Sequence, residues 1–149
     1  MSKLIASVFG IGYIKGGGTV AAAVTCLVIY FLWPLAIMQH TFSLLIVTVI
    51  VSLVGVVVGN LVEPHWGKDS SRVVIDEVAG MLVTLLFIPP NVYYLLIGLV
   101  LFRFFDIVKP LYIRRMEALP GGTGVMMDDI LAGVYANIVL QVIVYFFKF

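Results

Sequence analysis

Adjacent carboxylates occur twice in this chain, at Asp76-Glu77 and at Asp128-Asp129, and a further acid stands between two cations in the run Arg103, Asp106, Lys109. All are bordered by apolar sequence. An Asp at the centre of a bilayer costs roughly 2.5–3.5 kcal/mol on insertion scales, so acids kept in such surroundings belong at an interface or in a polar site. Clustered carboxylate oxygens suit Mg²⁺, a hard cation commonly held by a few carboxylates together with a substrate phosphate. Arg103 and Asp106 are three residues apart, as are Asp106 and Lys109, so one helix face alternates positive, negative, positive. Beside an acid cluster, Arg103 and Lys109 can hold a phosphate while Asp106 joins the metal ligands. Two plainer explanations compete. Acids at helix N-termini offset the helix dipole by roughly 0.3–1 kcal/mol, which covers Asp76, Glu77, Asp128 and Asp129 but not Asp106, near a C-terminus. The Arg103, Asp106, Lys109 face can equally be a simple intrahelical ladder.

Two glycine-rich stretches, Gly16-Gly17-Gly18-Thr19 and Gly121-Gly122-Thr123-Gly124, each precede a long apolar run. Backbone N–H groups freed there can cradle a phosphate, which makes Thr19 and Gly122 candidate substrate-binding residues. Linker flexibility accounts for each loop alone at least as well. Other chemistries are disfavoured. Residues 12–19 match a P-loop except that Gly18 replaces the essential Lys, and no strand precedes them. Cys26 lies in an apolar run, as a small buried hydrophobe rather than a nucleophile. Of the two histidines, His40 falls in an expected outer turn and His65 in a charged loop. Water activated by a metal and attacking a bound phosphate remains.

The elements that must position these groups are helices in a membrane. The chain has 149 residues, 62% hydrophobic and 11% charged, against roughly 45–50% and 25% for a soluble domain. That composition predicts one all-α, polytopic membrane domain over residues 1–149, a bundle of about five membrane helices. A net charge of +1 argues against nucleic acid as a partner. Residues 1–18 have no signal-peptide pattern and read as an interfacial or re-entrant segment retained in the mature protein. Thr19 to Met38 and Phe42 to Val62 are uncharged runs of about the 20 residues a span requires, joined by a turn at Gln39-His40-Thr41. After the charged loop from Glu63 to Arg72, Pro89-Pro90-Asn91 interrupts the apolar stretch from Val73 to Phe105, as a kink or as the turn of a hairpin. The basic residues Arg103, Lys109, Arg114 and Arg115 favour the hairpin, because it returns them to the cytoplasmic side with Lys3, Lys15, Lys68 and Arg72. Helix three is then expected at about Val73 to Ile88, helix four at Val92 to Val108 and a last helix at Asp129 to Phe147. The acids collect at the cytoplasmic helix ends.

Three blocks carry a family resemblance: residues 68–80 (KDSSRVVIDEVAG), 102–110 (FRFFDIVKP) and 121–133 (GGTGVMMDDILAG). Together, in this order, they resemble the signature of the phosphatidylglycerophosphatase A family, and the resemblance extends to the glycine-rich entry of the first span. It implies a Mg²⁺-dependent, multi-pass phosphatase of the bacterial inner membrane that converts phosphatidylglycerophosphate to phosphatidylglycerol. It implies Asp76, Glu77, Asp106, Asp128 and Asp129 as metal-binding or water-activating carboxylates, Arg103 and Lys109 as phosphate ligands, and Asp69 as a further ligand. Ser70 and Gly17 stand where the family usually has proline, so both loops are less rigid here. Two other classes stay open on the residues themselves. A phosphotransferase using a nucleotide-activated alcohol would gather similar acids, but Asp106 is followed by Ile107 rather than the glycine of that pattern. A small transport protein would place its acids nearer the bilayer middle than these. Oligomeric state is not legible.

Overall fold

The computed structural model describes residues 1–34, 41–68 and 70–147, all helix and connection with no strand among them. The expected turn at Gln39-His40 and the expected ligand Asp69 lie outside these residues. Seven α-helices follow in order: α1 (Ser2–Ala6), α2 (Gly17–Leu32), α3 (Thr41–Trp66), α4 (Ile75–Thr84), α5 (Val92–Val108), α6 (Ile113–Met116) and α7 (Gly121–Phe146), with a 3₁₀ turn at Ile11–Tyr13. Among the described residues, two segments, Phe42–Trp66 and Gly121–Phe146, are long and apolar enough to cross a membrane. Their outer faces are apolar too. Phe42, Ile46, Ile50, Leu53, Val57 and Leu61 form an exposed stripe along α3 at three- and four-residue spacing.

α4 and α5 form an antiparallel hairpin, as expected. A Cβ at Gly98 would touch Thr84 and Leu85, whereas one at Gly80 would overlap Phe102. Pro89 and Pro90 lie in the connection, and the Asn91 side chain then caps α5 by accepting from the Tyr93 N–H at 2.9 Å. α4 itself is shorter than the expected Val73 to Ile88. Its ten residues rise only about 15 Å, half of a hydrocarbon core.

The shortening at each end has a cause. At the start, the Val74 N–H donates to the Ala6 carbonyl at 2.9 Å and Val74 has a non-helical backbone, so the helix begins only at Ile75. At the finish, Leu86 and Ile88 turn with tighter i→i+3 bonds before Pro89. The Thr84 and Leu86 carbonyls left over accept from Asn137 Nδ2 of α7 at 2.9 and 2.8 Å. A helix broken inside an apolar bundle is tolerable when protein satisfies its backbone in this way. Asn137→Leu is therefore expected to lower unfolding stability by about 1–3 kcal/mol, read as a lower thermal midpoint in detergent. An unchanged midpoint would show that these carbonyls find water instead.

α7 begins at Gly121, two turns before the expected Asp129. Its glycines are packing sites, not linker. Gly122 lies against the α3 backbone, where a Cβ would overlap the Val56 carbonyl and crowd Gly59. Its N–H donates to Asn60 Oδ1 at 2.8 Å. Gly133 likewise meets the Gly80 carbonyl of α4, so small residues let α3, α4 and α7 approach closely. The core around these contacts includes Ala79, Met81, Phe102, Met126, Ala132, Ala136 and Leu140.

Candidate active site

At the end of the bundle where α2, α4 and α7 begin and α5 finishes, Asp76, Glu77 and Asp129 converge. One carboxylate oxygen from each lies within 4.8 Å of the other two. Asp76 and Asp129 are buried, with 8% and 4% of their surface exposed. Asp76 Oδ1, Glu77 Oε2 and Asp129 Oδ2 are enclosed and accept no hydrogen bond. The placement follows from helix geometry. Asp76 and Glu77 occupy the first turn of α4, while Asp129 lies in the third turn of α7, level with Gly80. The absence of side chains at Gly80 and Gly133 permits that approach.

The helix dipole does not account for this cluster. It can favour Asp76 and Glu77, but Asp128 and Asp129 lie beyond the first turn of α7, where the effect has faded. Two charges 4.8 Å apart repel by roughly 3–4 kcal/mol at an effective dielectric near 20, several times what a dipole returns. Three buried oxygens from hard carboxylate donors, with no protein hydrogen bonded to them, fit a divalent cation.

Around the triad stand the other acids and their cations. Arg103 of α5 makes an ion pair with Asp106 Oδ2 at 2.5 Å and a longer one with Glu77 Oε1 at 3.9 Å. The contacts of Arg103 Nη1 are ionic rather than well-aligned hydrogen bonds, and the buried Nε has no partner. Asp106 also interacts electrostatically with Glu77 and Asp129. Asp128 points elsewhere. Successive residues on a helix diverge by about 100°, and its Oδ2 meets Lys109 Nζ at 2.6 Å. Its Oδ1 accepts from the Asp129 N–H at 3.0 Å.

Lys109 ends α5 in the left-handed conformation, φ 47° and ψ 55°, just before Pro110. A non-glycine residue held there costs on the order of 1–3 kcal/mol. Two short bonds accompany that strain, to Asp128 and to Glu117 Oε1, each at 2.6 Å. Burial would lower the Lys109 pKa, but the hydrogen bonds and charges of Asp128 and Glu117 outweigh it and hold the amine above its ordinary range. An ammonium has three donors, so one N–H remains beyond these two.

The glycine-rich entry to α2 packs directly on the site. A Cβ at Gly18 would overlap Glu77 Oε1, so only glycine lets α2 start here without displacing the carboxylate. Thr19, in the first turn of α2, is exposed beside it. Gly122, in contrast, has its one N–H committed to Asn60 and is not a phosphate cradle. Sequence reasoning missed Glu117 as the second partner of Lys109, and Asn60 and Asn137 as anchors of α7. The asparagines had a signal, since each is a polar residue inside or at the end of an apolar run. Glu117 had none, because its partner comes from another helix.

A profile of the family described as Phosphatidylglycerophosphatase A matches residues 4–144. Among curated proteins, a Bacteroides thetaiotaomicron protein provisionally named a phosphatidylinositol-3-phosphatase is 41% identical over 146 residues, covering 93% of this chain and 91% of its own. A Haemophilus influenzae protein named phosphatidylglycerophosphatase A is 44% identical over 79 residues, 52% of this chain and 48% of its own. An Escherichia coli protein of the same name is 35% identical over 101 residues, 63% and 59% respectively. No solved structure matches. With a profile match running almost from end to end, the chain belongs to the phosphatidylglycerophosphatase A family.

Proposed function

We propose that this single-domain, multi-pass membrane protein hydrolyses the terminal phosphate monoester of phosphatidylglycerophosphate, yielding phosphatidylglycerol and phosphate, at the cytoplasmic face of a bacterial inner membrane. The observation that carries the reading is the Asp76, Glu77, Asp129 triad, with an enclosed oxygen on each carboxylate, beside a cationic Arg103, within a family of lipid phosphatases. The triad would hold Mg²⁺, with Asp106 and Asp128 as neighbouring acids. Mg²⁺ when bound supplies charge neutralisation for the phosphoryl group and an activated water. Arg103, clamped by Asp106 and Glu77, offers its free Nε to the phosphoryl oxygens, and Lys109 offers its third N–H. Burial of the carboxylates keeps bulk water from the reacting face, which strengthens each of these interactions.

Support for a membrane setting comes from the apolar outer faces of α3 and α7 and from Lys68, Arg72, Lys109, Arg114 and Arg115 gathered at the site's end of the bundle. A second reading, dephosphorylation of phosphatidylinositol 3-phosphate, draws on the name of the Bacteroides relative, whose match covers nine-tenths of both chains. Phosphate release by purified protein, given each lipid in turn with Mg²⁺, tests both. Turnover of phosphatidylglycerophosphate well above that of the inositol lipid is expected. The reverse preference would replace the first reading with the second, and release from neither would refute the phosphatase function.

A further inference from the structure

Beside the triad, on the other flank of α7, a cleft of about 490 Å³ opens between α6, the early turns of α7 and the segment after α3. Its walls include Lys68, Arg114, Glu117, Gly124, Val125 and Asp128. We propose that this cleft seats the phosphodiester of a substrate lipid that carries two phosphates, so that Lys68 and Arg114 select such lipids over those with a single phosphate. The inference rests on the lipid-phosphatase reading above.

Charge separates the cleft from the triad. The triad is a carboxylate cluster with one cation, Arg103, nearby and shared with Asp106. Both acids of the cleft wall, Asp128 and Glu117, are paired with Lys109. Lys68 and Arg114 are exposed and, among the described residues, have no ion pair. Among the described residues the lining therefore has two cations, Lys68 and Arg114, against two acids that Lys109 already pairs, and it offers both cations to a guest. A carboxylate triad calls for a metal; this wall calls for an anion.

The two sites are one residue apart along α7. Asp128 lines the cleft while Asp129, bonded to it through its N–H, joins the triad. A ligand bridging them needs one phosphate at the triad and a second anionic group a short polar linker away. Phosphatidylglycerophosphate and phosphatidylinositol 3-phosphate both have that form: a monoester on a polyol, and a diester joining the polyol to diacylglycerol. Phosphatidate has the monoester alone. The same cleft thus accommodates either lipid named for the relatives. The competing explanation is that Lys68 and Arg114 serve only as topological or membrane-surface charges, which would treat all anionic lipids alike.

The test compares kcat and KM for phosphatidylglycerophosphate and phosphatidate in neutral-detergent mixed micelles with Mg²⁺. The proteins are wild type, Lys68→Ala, Arg114→Ala, the charge-conserving Arg114→Lys and a control, Arg115→Ala, whose guanidinium lies over the Tyr112 ring. Loss of one charged hydrogen bond should raise KM for the two-phosphate lipid roughly ten- to a hundredfold with kcat little changed, while KM for phosphatidate shifts far less. Arg114→Lys should fall between, and Arg115→Ala should match wild type. An equal fall on both lipids, or no change on either, would overturn the proposal. If wild type hydrolysed neither lipid, the phosphatase reading would fail by itself, and binding of glycerophosphoglycerol, the deacylated diester, would still judge the cleft. Weaker binding by the Lys68→Ala/Arg114→Ala variant would uphold the cleft, whereas binding that is absent or equal in both proteins would overturn it.

Discussion

Asp129→Asn is expected to lower turnover by two orders of magnitude or more while leaving the fold intact. Asn is nearly isosteric but neutral and a weaker ligand, so the change removes charge that neutralises a bound cation in the transition state. The same substitution should not cost stability in metal-free protein. Asp129 Oδ2 accepts no hydrogen bond and faces the carboxylates of Asp76 and Glu77, so taking away its charge relieves repulsion. An Asn amide can also donate to them. A gain on the order of 1–3 kcal/mol in chelator is expected, read from thermal unfolding. Loss of function with gain of stability is the mark of a site kept for chemistry. A purely structural acid would behave in the opposite way, losing stability with turnover intact. The Asp76→Asn/Asp129→Asn double variant should be little worse than either single, because the carboxylates act through one bound ion.

Chelation should be comparably severe. With excess chelator, phosphate release is expected to fall to background and to return on adding Mg²⁺. Binding should also register in stability without any turnover. An ion at a hundred times its dissociation constant stabilises the native state by about 2.7 kcal/mol, so the thermal midpoint should climb with Mg²⁺ concentration. In Asp129→Asn most of that climb should vanish, whereas Arg115→Ala, away from the triad, should retain it. Full activity in chelator, or a Mg²⁺-dependent midpoint that survives removal of Asp129, would take the cation away from these residues. The two readouts separate a metal that assists the reaction from one that merely accompanies the lipid.

What the sequence determined by itself was what depends on local composition and order. Uninterrupted apolar runs predict long apolar helices, and α3 and α7 are long enough to cross a membrane. Two consecutive prolines interrupt a helix as a kink or a turn, and the basic residues from Arg103 to Arg115 favour the turn, so the α4–α5 hairpin was legible, whereas the Asn91 cap emerged only with the structure. The carboxylates stood out because acids are costly in such surroundings. Tertiary structure decided the rest. Glycines weaken a helix by propensity, so residues 121–124 read as a loop; the close approach of α3 and the bond from Asn60 instead make them the first turn of α7. Nothing within Val73 to Ile88 shows that α4 stops at Thr84, because the group that satisfies its last carbonyls, Asn137, comes from more than fifty residues away. Which carboxylates share a site was likewise not local. Asp128 and Asp129 are neighbours in the chain but point about 100° apart on α7, and only the positions of α4 and Lys109 around that helix send one to the triad and the other to an ion pair.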